Sequence, residues 1–117
     1  MEMVYISSPY THDDSFIVDC RMEVVYGAMA FFSNEKGMHC VTPLSMHELV
    51  KRRPMPSDYK FWKEYCENLL QRCDRMIVLK QEGWDTSTGV KGELDFCVLN
   101  NIPVDYWDID VTITGKE

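Results

Sequence analysis

The chain has 117 residues and a formal net charge of −7, enough for one domain with a core of its own over residues 1–117. The acidic balance argues against nucleic-acid backbones and anionic membranes as partners. No apolar run approaches a membrane span, and "MEMVYISSPY" is too short and acidic for a signal peptide, so a cytoplasmic protein is expected.

In chain order, "MVYI" (Met3 to Ile6) reads as a short buried strand that ends in the polar turn "SSPYTHDD". From Asp14 the period changes. Phe16, Ile17, Cys20, Val24, Tyr26 or Gly27, Met29 or Ala30 and Phe31 recur at helical spacing, and Gly37 is a stop signal. "MHCVTP" is the next strand, closed by Pro43. Leu44 to Ser57 reads mostly as loop, with room for a short helix. Its basic run Lys51 to Arg53 is either a solvated turn or a contact for one small anion. Ser57 or Asp58 can cap a helix over "DYKFWKEYCENLLQRC", which puts Trp62, Cys66, Leu69 or Leu70 and Cys73 on one side. "RMIVLKQ" has the apolar centre of a buried strand. The loop "EGWDTSTG" leads to a helix over "VKGELDFCVLNN", and "IPVDYW" and "DVTIT" are candidate strands.

This alternation predicts an α/β fold: a three-layer sandwich with a mostly parallel, Rossmann- or flavodoxin-like sheet of four to five strands. In such sheets the loops after the strands share one rim, and ligands bind where strand order reverses. "SSPYTH", "TPLSMH" and "EGWDTSTG" therefore face a common site. Five cysteines, an odd number without a zinc spacing, point to reduced thiols and to no metal. No cofactor fingerprint is present: there is neither a P-loop nor a dinucleotide glycine pattern.

Within that rim, the amides of Thr88, Gly89 and Val90 and the hydroxyls of Ser87 and Thr88 suit a phosphate at a helix start; a plain helix cap explains the same residues. Glu93 lies near the first helical turn; it and Asp95 point to different faces, so only one of the two looks into the rim. Tyr5, inside the first strand, needs a partner for its hydroxyl, and Glu93 is one if the first and third strands are neighbours. A carboxylate held by tyrosine can act as nucleophile or base. His12 and His47 are on rim loops, His39 falls in a strand, and Asp74 is read as structural.

The segments "VYISSPYTH", "FWKEYCENLLQRCDRMIVLKQEGWDTSTGVKGELDFC" and "NNIPV", in that order, resemble the small nucleoside 2-deoxyribosyltransferase-like proteins. The branch it resembles most carries SPY after the first strand and GW..S.GV..E in the active-site loop. The related deoxynucleoside-monophosphate N-glycosidases have a similar serine-glycine-valine-glutamate pattern. The resemblance covers nearly all the chain, with Leu44 to Ser57 least matched.

It implies that Glu93 is the nucleophile at the anomeric carbon, that Tyr5 holds it, and that Ser87 contacts a 5'-phosphate, with Gly89 and Val90 forming the turn between. A further aspartate handles the leaving base in such enzymes, and Asp58 and Asp85 are the contenders. Trp84 can stack on a base or pack as a lid. The first loop departs from the glycine-led loop of many relatives, so Ser7, Ser8 and Tyr10 would face sugar or phosphate. The middle segment adds His47. The expected activity is N-glycosidic cleavage or 2-deoxyribosyl transfer on a nucleoside or nucleoside 5'-monophosphate. The alternatives are a non-catalytic nucleotide-binding or sensing module and a structural or partner-binding domain. A homodimer or higher homo-oligomer is expected, with Tyr26, Phe32, Phe61 and Tyr65 as candidates for its interface.

Overall fold

The computed structural model describes residues 2–110 and contains the alternation read from the sequence. Its elements are β1 (Met3–Ser7), α1 (Ser15–Lys36), β2 (His39–Val41), a 3-10 turn at Pro43–Met46, α2 (His47–Arg52), α3 (Tyr59–Leu70), β3 (Arg75–Leu79), α4 (Thr88–Leu99) and β4 (Val104–Trp107). The four strands are all parallel, in the order β2-β1-β3-β4. The chain steps from β1 to β2 on one side and then crosses to β3 on the other. Strand order therefore reverses between β1 and β3, which opens a crevice above their carboxyl ends.

Period-two alternation in the central strands divides the core into two layers. Val4, Ile6, Ile77 and Leu79 pack against Met22, Val25, Ala28 and Phe32 of α1. Tyr5, Met76 and Val78 face the other way, against Leu70 of α3 and Val90 and Cys97 of α4. The helices thus cover both faces of the sheet, giving the three-layer α/β sandwich.

Several local expectations are corrected. The buried stripe of α1 is Met22, Val25, Ala28 and Phe32, whereas Phe16 is 68% exposed and Cys20 is also exposed. Apolar residues surround much of this helix, so spacing alone does not select the inward face. Phe32 is fully buried with its ring against Trp107, and so does not belong to an exposed interface. Tyr26 and Tyr65 are exposed. β2 is shorter than read, and Pro43 begins the 3-10 turn that leads directly into α2. Lys51 and Arg52 belong to the last turn of α2, where both pair with Glu48. The candidate strand at 110–114 lies almost wholly outside the described residues.

Local chemistry explains where the helices start. Asp14 caps α1 by accepting from the Phe16 amide, and Asp58 caps α3 by accepting from the Phe61 amide. Asp74 accepts from the Met3 amide at the amino edge of the sheet, in keeping with its structural reading. No helix among the described residues is long and apolar enough to cross a membrane.

Candidate active site

The crevice between β1 and β3 widens into a cavity of about 1030 Å³. Its lining comes from the loops after β1, β2 and β3 and from α3 and α4. The three rim loops grouped by sequence do converge on one space.

At its floor lies Glu93. The Tyr5 hydroxyl donates to Glu93 Oε2, and the Ser7 hydroxyl donates to Oε1 at 2.7 Å. Both donors lie on β1 and project to the same face, because Tyr5 and Ser7 are one period apart. β1 reaches α4 because β1 and β3 are neighbours, as the pairing of Tyr5 with Glu93 requires. Glu93 keeps part of its surface toward the cavity, yet protein surrounds its carboxyl. Burial pushes its pKa up from 4.5 to about 7, while the Tyr5 and Ser7 hydrogen bonds pull it down. Burial, followed by the neighbouring carboxylate, pushes the Tyr5 phenol far up, so Tyr5 stays a donor. Beside it Cys66 also lines the cavity, and burial raises its thiol to about 11.

α4 begins at Thr88, so Glu93 belongs to its second turn rather than its first. Burial therefore governs its ionisation, since the helix dipole falls off within the first turn. Asp95 points away, into an exposed pair with Lys91 at 3.0 Å. Gly92, beside Glu93, gives room to Tyr59: a Cβ there would stand 3.3 Å from its hydroxyl.

Ser87 both caps α4 and lines the cavity. Its Oγ accepts from the Val90 amide at 3.2 Å, which leaves its proton available to a ligand. The Val90 amide is thereby used, and its side chain is core, so Val90 does not line the site. The helix supplies no acceptor to the amides of Thr88 and Gly89. Thr86, Ser87, Thr88 and Gly89 form one wall of the cavity.

The first loop divides its tasks. Ser8 is buried, donates to the Pro9 carbonyl and accepts from Gln81 Nε2, so it fastens the loop to the end of β3. Arg21 of α1 reaches the Thr11 and Glu82 carbonyls and ties the first loop to the third. Gly83, at φ +93°, makes room for that guanidinium; a Cβ there would approach Arg21 Nη2 to 2.8 Å. Tyr10 lines the cavity, and its hydroxyl meets His47 Nδ1 at 2.7 Å. His47 is a buried helical residue at the start of α2, not a loop histidine. Arg53, the last of the basic run, also faces the cavity.

Other candidates fall outside this space. Asp58 is occupied as the α3 cap, and Asp85 is exposed on the third loop; neither lines the cavity. Trp84 packs against Tyr106 of β4 with Lys80 over its ring, away from the site. Trp62, read as a packing residue, does line the cavity, and its indole donates to the Pro56 carbonyl at 2.7 Å. His12 is exposed and accepts from the Asp14 amide, and His39 is an exposed residue of β2. Sequence reasoning missed Arg21, Gln81 and Asp19, whose carboxylate stands 3.3 Å from His47 Nε2. Only tertiary packing gives them a role, and nothing in their spacing marks them. Cys66, placed by its spacing on the apolar side of its helix, also lines the cavity.

No curated protein matches the chain. The family model described as a domain of unknown function, DUF1937, matches residues 2–109, and the chain belongs to that family.

Proposed function

We propose that the cavity is the active site of an N-glycosidase or 2-deoxyribosyltransferase acting on a nucleoside or nucleoside 5'-monophosphate. The observation that carries this reading is the fixed carboxylate. Glu93 is held by Tyr5 and Ser7 at the reversal of strand order and opens into a cavity of about 1030 Å³. Two donors on the two carboxyl oxygens fix its orientation and leave lone pairs for attack at C1'. The resemblance of the Tyr5, Ser87 and Glu93 segments to the deoxyribosyltransferase-like proteins supports the same role.

In this mechanism Glu93 attacks C1' as the bond to the base nitrogen breaks, and that bond's electron pair leaves with the base. A glycosyl ester on Glu93 results. Water releases the sugar in hydrolysis, and a second base accepts it in transfer. Positive charge developing at C1' favours the ionised carboxylate just when it is needed. The wall of Thr86, Ser87, Thr88 and Gly89 suits the 5'-phosphate, with Arg53 offering a cation. Met46, Val50, Met55 and Trp62 offer an apolar surface for the base. The chemistry requires no cofactor and no metal.

Five free cysteines suit a reducing cytoplasmic setting. Exposed Tyr26 and Tyr65, with part-buried Phe61, suit a homodimer, which light scattering at tens of micromolar tests through the particle mass. The activity itself is tested by incubating the protein with a panel of nucleosides and their 5'-monophosphates and measuring free base by chromatography. Release of base from at least one member is the expected result. No release from any member by folded protein contradicts the proposal.

A further inference from the structure

Departure of a base from C1' calls for a proton on the base, and neither aspartate offered by the sequence faces the cavity. The other proton-bearing groups of the lining are poorly placed for the task. Glu67 is bound to Lys63 at 2.8 Å. Cys66 lies beside Tyr5 and Glu93, on the nucleophile's side of the cavity, with its thiol raised to about 11 by burial. Tyr59 is exposed and lies against Gly92.

Tyr10 differs, because a chain of groups stands behind it. Its hydroxyl meets His47 Nδ1 at 2.7 Å, and His47 Nε2 stands 3.3 Å from Asp19 Oδ1. The loop is fastened on both sides of Tyr10, through Ser8 to Gln81 and through Thr11 to Arg21. His47 is buried between the cavity and a shallow outer depression that Asp19, Glu23 and Tyr26 of α1 and Glu48 and Lys51 of α2 line. Lys51 also approaches Asp19, at 3.8 Å.

We propose that Tyr10 is the catalytic acid that protonates the departing base, and that His47, oriented by Asp19, supplies its proton. This rests on the glycosyl-transfer reading of the same cavity. The direction of one hydrogen bond makes the switch. With His47 neutral and its Nε2 proton toward Asp19, Nδ1 accepts the Tyr10 proton, and Tyr10 offers the cavity only lone pairs. With His47 protonated, Nδ1–H donates to Tyr10, whose own proton is free to point at the base.

As Glu93 bonds to C1', the C1'–N electron pair passes to the base nitrogen. That nitrogen takes the Tyr10 proton, and Tyr10 takes the Nδ1 proton of His47. In hydrolysis, water then attacks C1', the ester bond breaks with its electrons returning to Glu93, and the water proton passes through Tyr10 back to His47. The cycle closes with every group restored. Burial and the negative groups nearby push the Tyr10 phenol up, which keeps it protonated until the base draws on it.

The test compares two leaving groups. One substrate is a nucleoside or nucleotide that the parent turns over; the other is the 4-nitrophenyl 2-deoxyriboside, with and without a 5'-phosphate, whose anionic leaving group needs no proton. The variants are Tyr10→Phe, His47→Gln and Asp19→Asn, each checked by melting temperature. For Tyr10→Phe and His47→Gln, the loss of kcat on the base substrate should exceed the loss on the aryl substrate by about 100-fold. Asp19→Asn should show the same split at a smaller size, because it only orients His47. Equal losses on both substrates in Tyr10→Phe or His47→Gln overturn the assignment. If the parent rejects the aryl substrate, an N7-methylated purine nucleoside or its 5'-phosphate, whose base leaves neutral without a proton, takes its place in the same comparison. A parent that cleaves neither substrate overturns the glycosidase reading, and the acid assignment with it.

Discussion

Two clusters share the cavity, and they are built differently. Tyr5 and Ser7 hold Glu93 from the central strand β1, which is paired on both sides and backed by the α3 and α4 core. Tyr10 and His47 meet between a loop and the six-residue helix α2, with Asp19 reaching in from the exposed face of α1. The first cluster depends on sheet register, which a one-residue slip would destroy. The second depends on two side-chain ties, Gln81 to Ser8 and Arg21 to Thr11. Functional loops on a rigid sheet commonly divide in this way. The contrast leads us to expect that chemistry shared with similar proteins lies in the β1 cluster, and what is particular to this chain in the loop cluster.

The largest expected effect comes from Glu93→Gln, which should lower turnover by roughly a thousandfold or more, above about 4 kcal/mol of barrier. Initial rates measure it, and near-parental turnover would break the comparison at its base. The same variant should gain stability at alkaline pH. Glu93 titrates at about 7 in the fold against an ordinary 4.5, so the folded state favours the protonated form. That stabilisation is present in full below pH 4.5 and lost as pH rises through 7. After allowance for a hydrogen bond the amide cannot replace, Glu93→Gln should exceed the parent by on the order of 2 kcal/mol at pH 8. The difference should shrink toward pH 4, as melting curves across pH would show.

Tyr5→Phe is next, with a loss of roughly tenfold or more. It removes a hydrogen bond that lowers the Glu93 pKa, so the acid limb of the rate profile, near 7 in the parent, should move upward. An unmoved limb would separate Tyr5 from the carboxylate. Gly83→Ala examines the ties of the loop cluster. The positive φ and the crowding of Arg21 should cost about 1 kcal/mol in denaturant unfolding, with kcat lowered more than KM is raised, because the loosened loop carries Tyr10. The smallest effect on turnover belongs to Asp58→Ala. Loss of the α3 cap should cost about 1 kcal/mol of stability while kcat stays near parental. A large fall in kcat would return Asp58 to the list of acids.

The same contrast explains what the sequence disclosed. Strands such as "MVYI" and "RMIVL" are short apolar runs between polar turns, and their alternation with helical segments was enough for the parallel sheet. Their loops therefore share a rim, and the family resemblance picks Tyr5, Ser87 and Glu93 out of it. The inward face of α1 was not legible, because Phe16 and Cys20 are as apolar as Met22 and Val25. The proposed acid was not legible either. Asp58 and Asp85 are near the right loops in sequence, but one is consumed by a helix amide and the other faces solvent. Asp19, by contrast, looks like any surface residue of a long helix. Its meeting with His47 depends on how the segment after β2 folds back, and two prolines and a basic run there suggested loop rather than helix.

The most direct test of the account is the mass of the intermediate. The parent is mixed with a base-releasing substrate, or with its 2-fluoro-arabinosyl analogue, which slows the second step. It is then quenched in acid, digested and analysed by mass spectrometry. The account predicts one glycosyl unit on the peptide containing Glu93, absent from Glu93→Gln. Base release by the parent with the analogue and no adduct on that peptide, or an adduct on another residue, would contradict it.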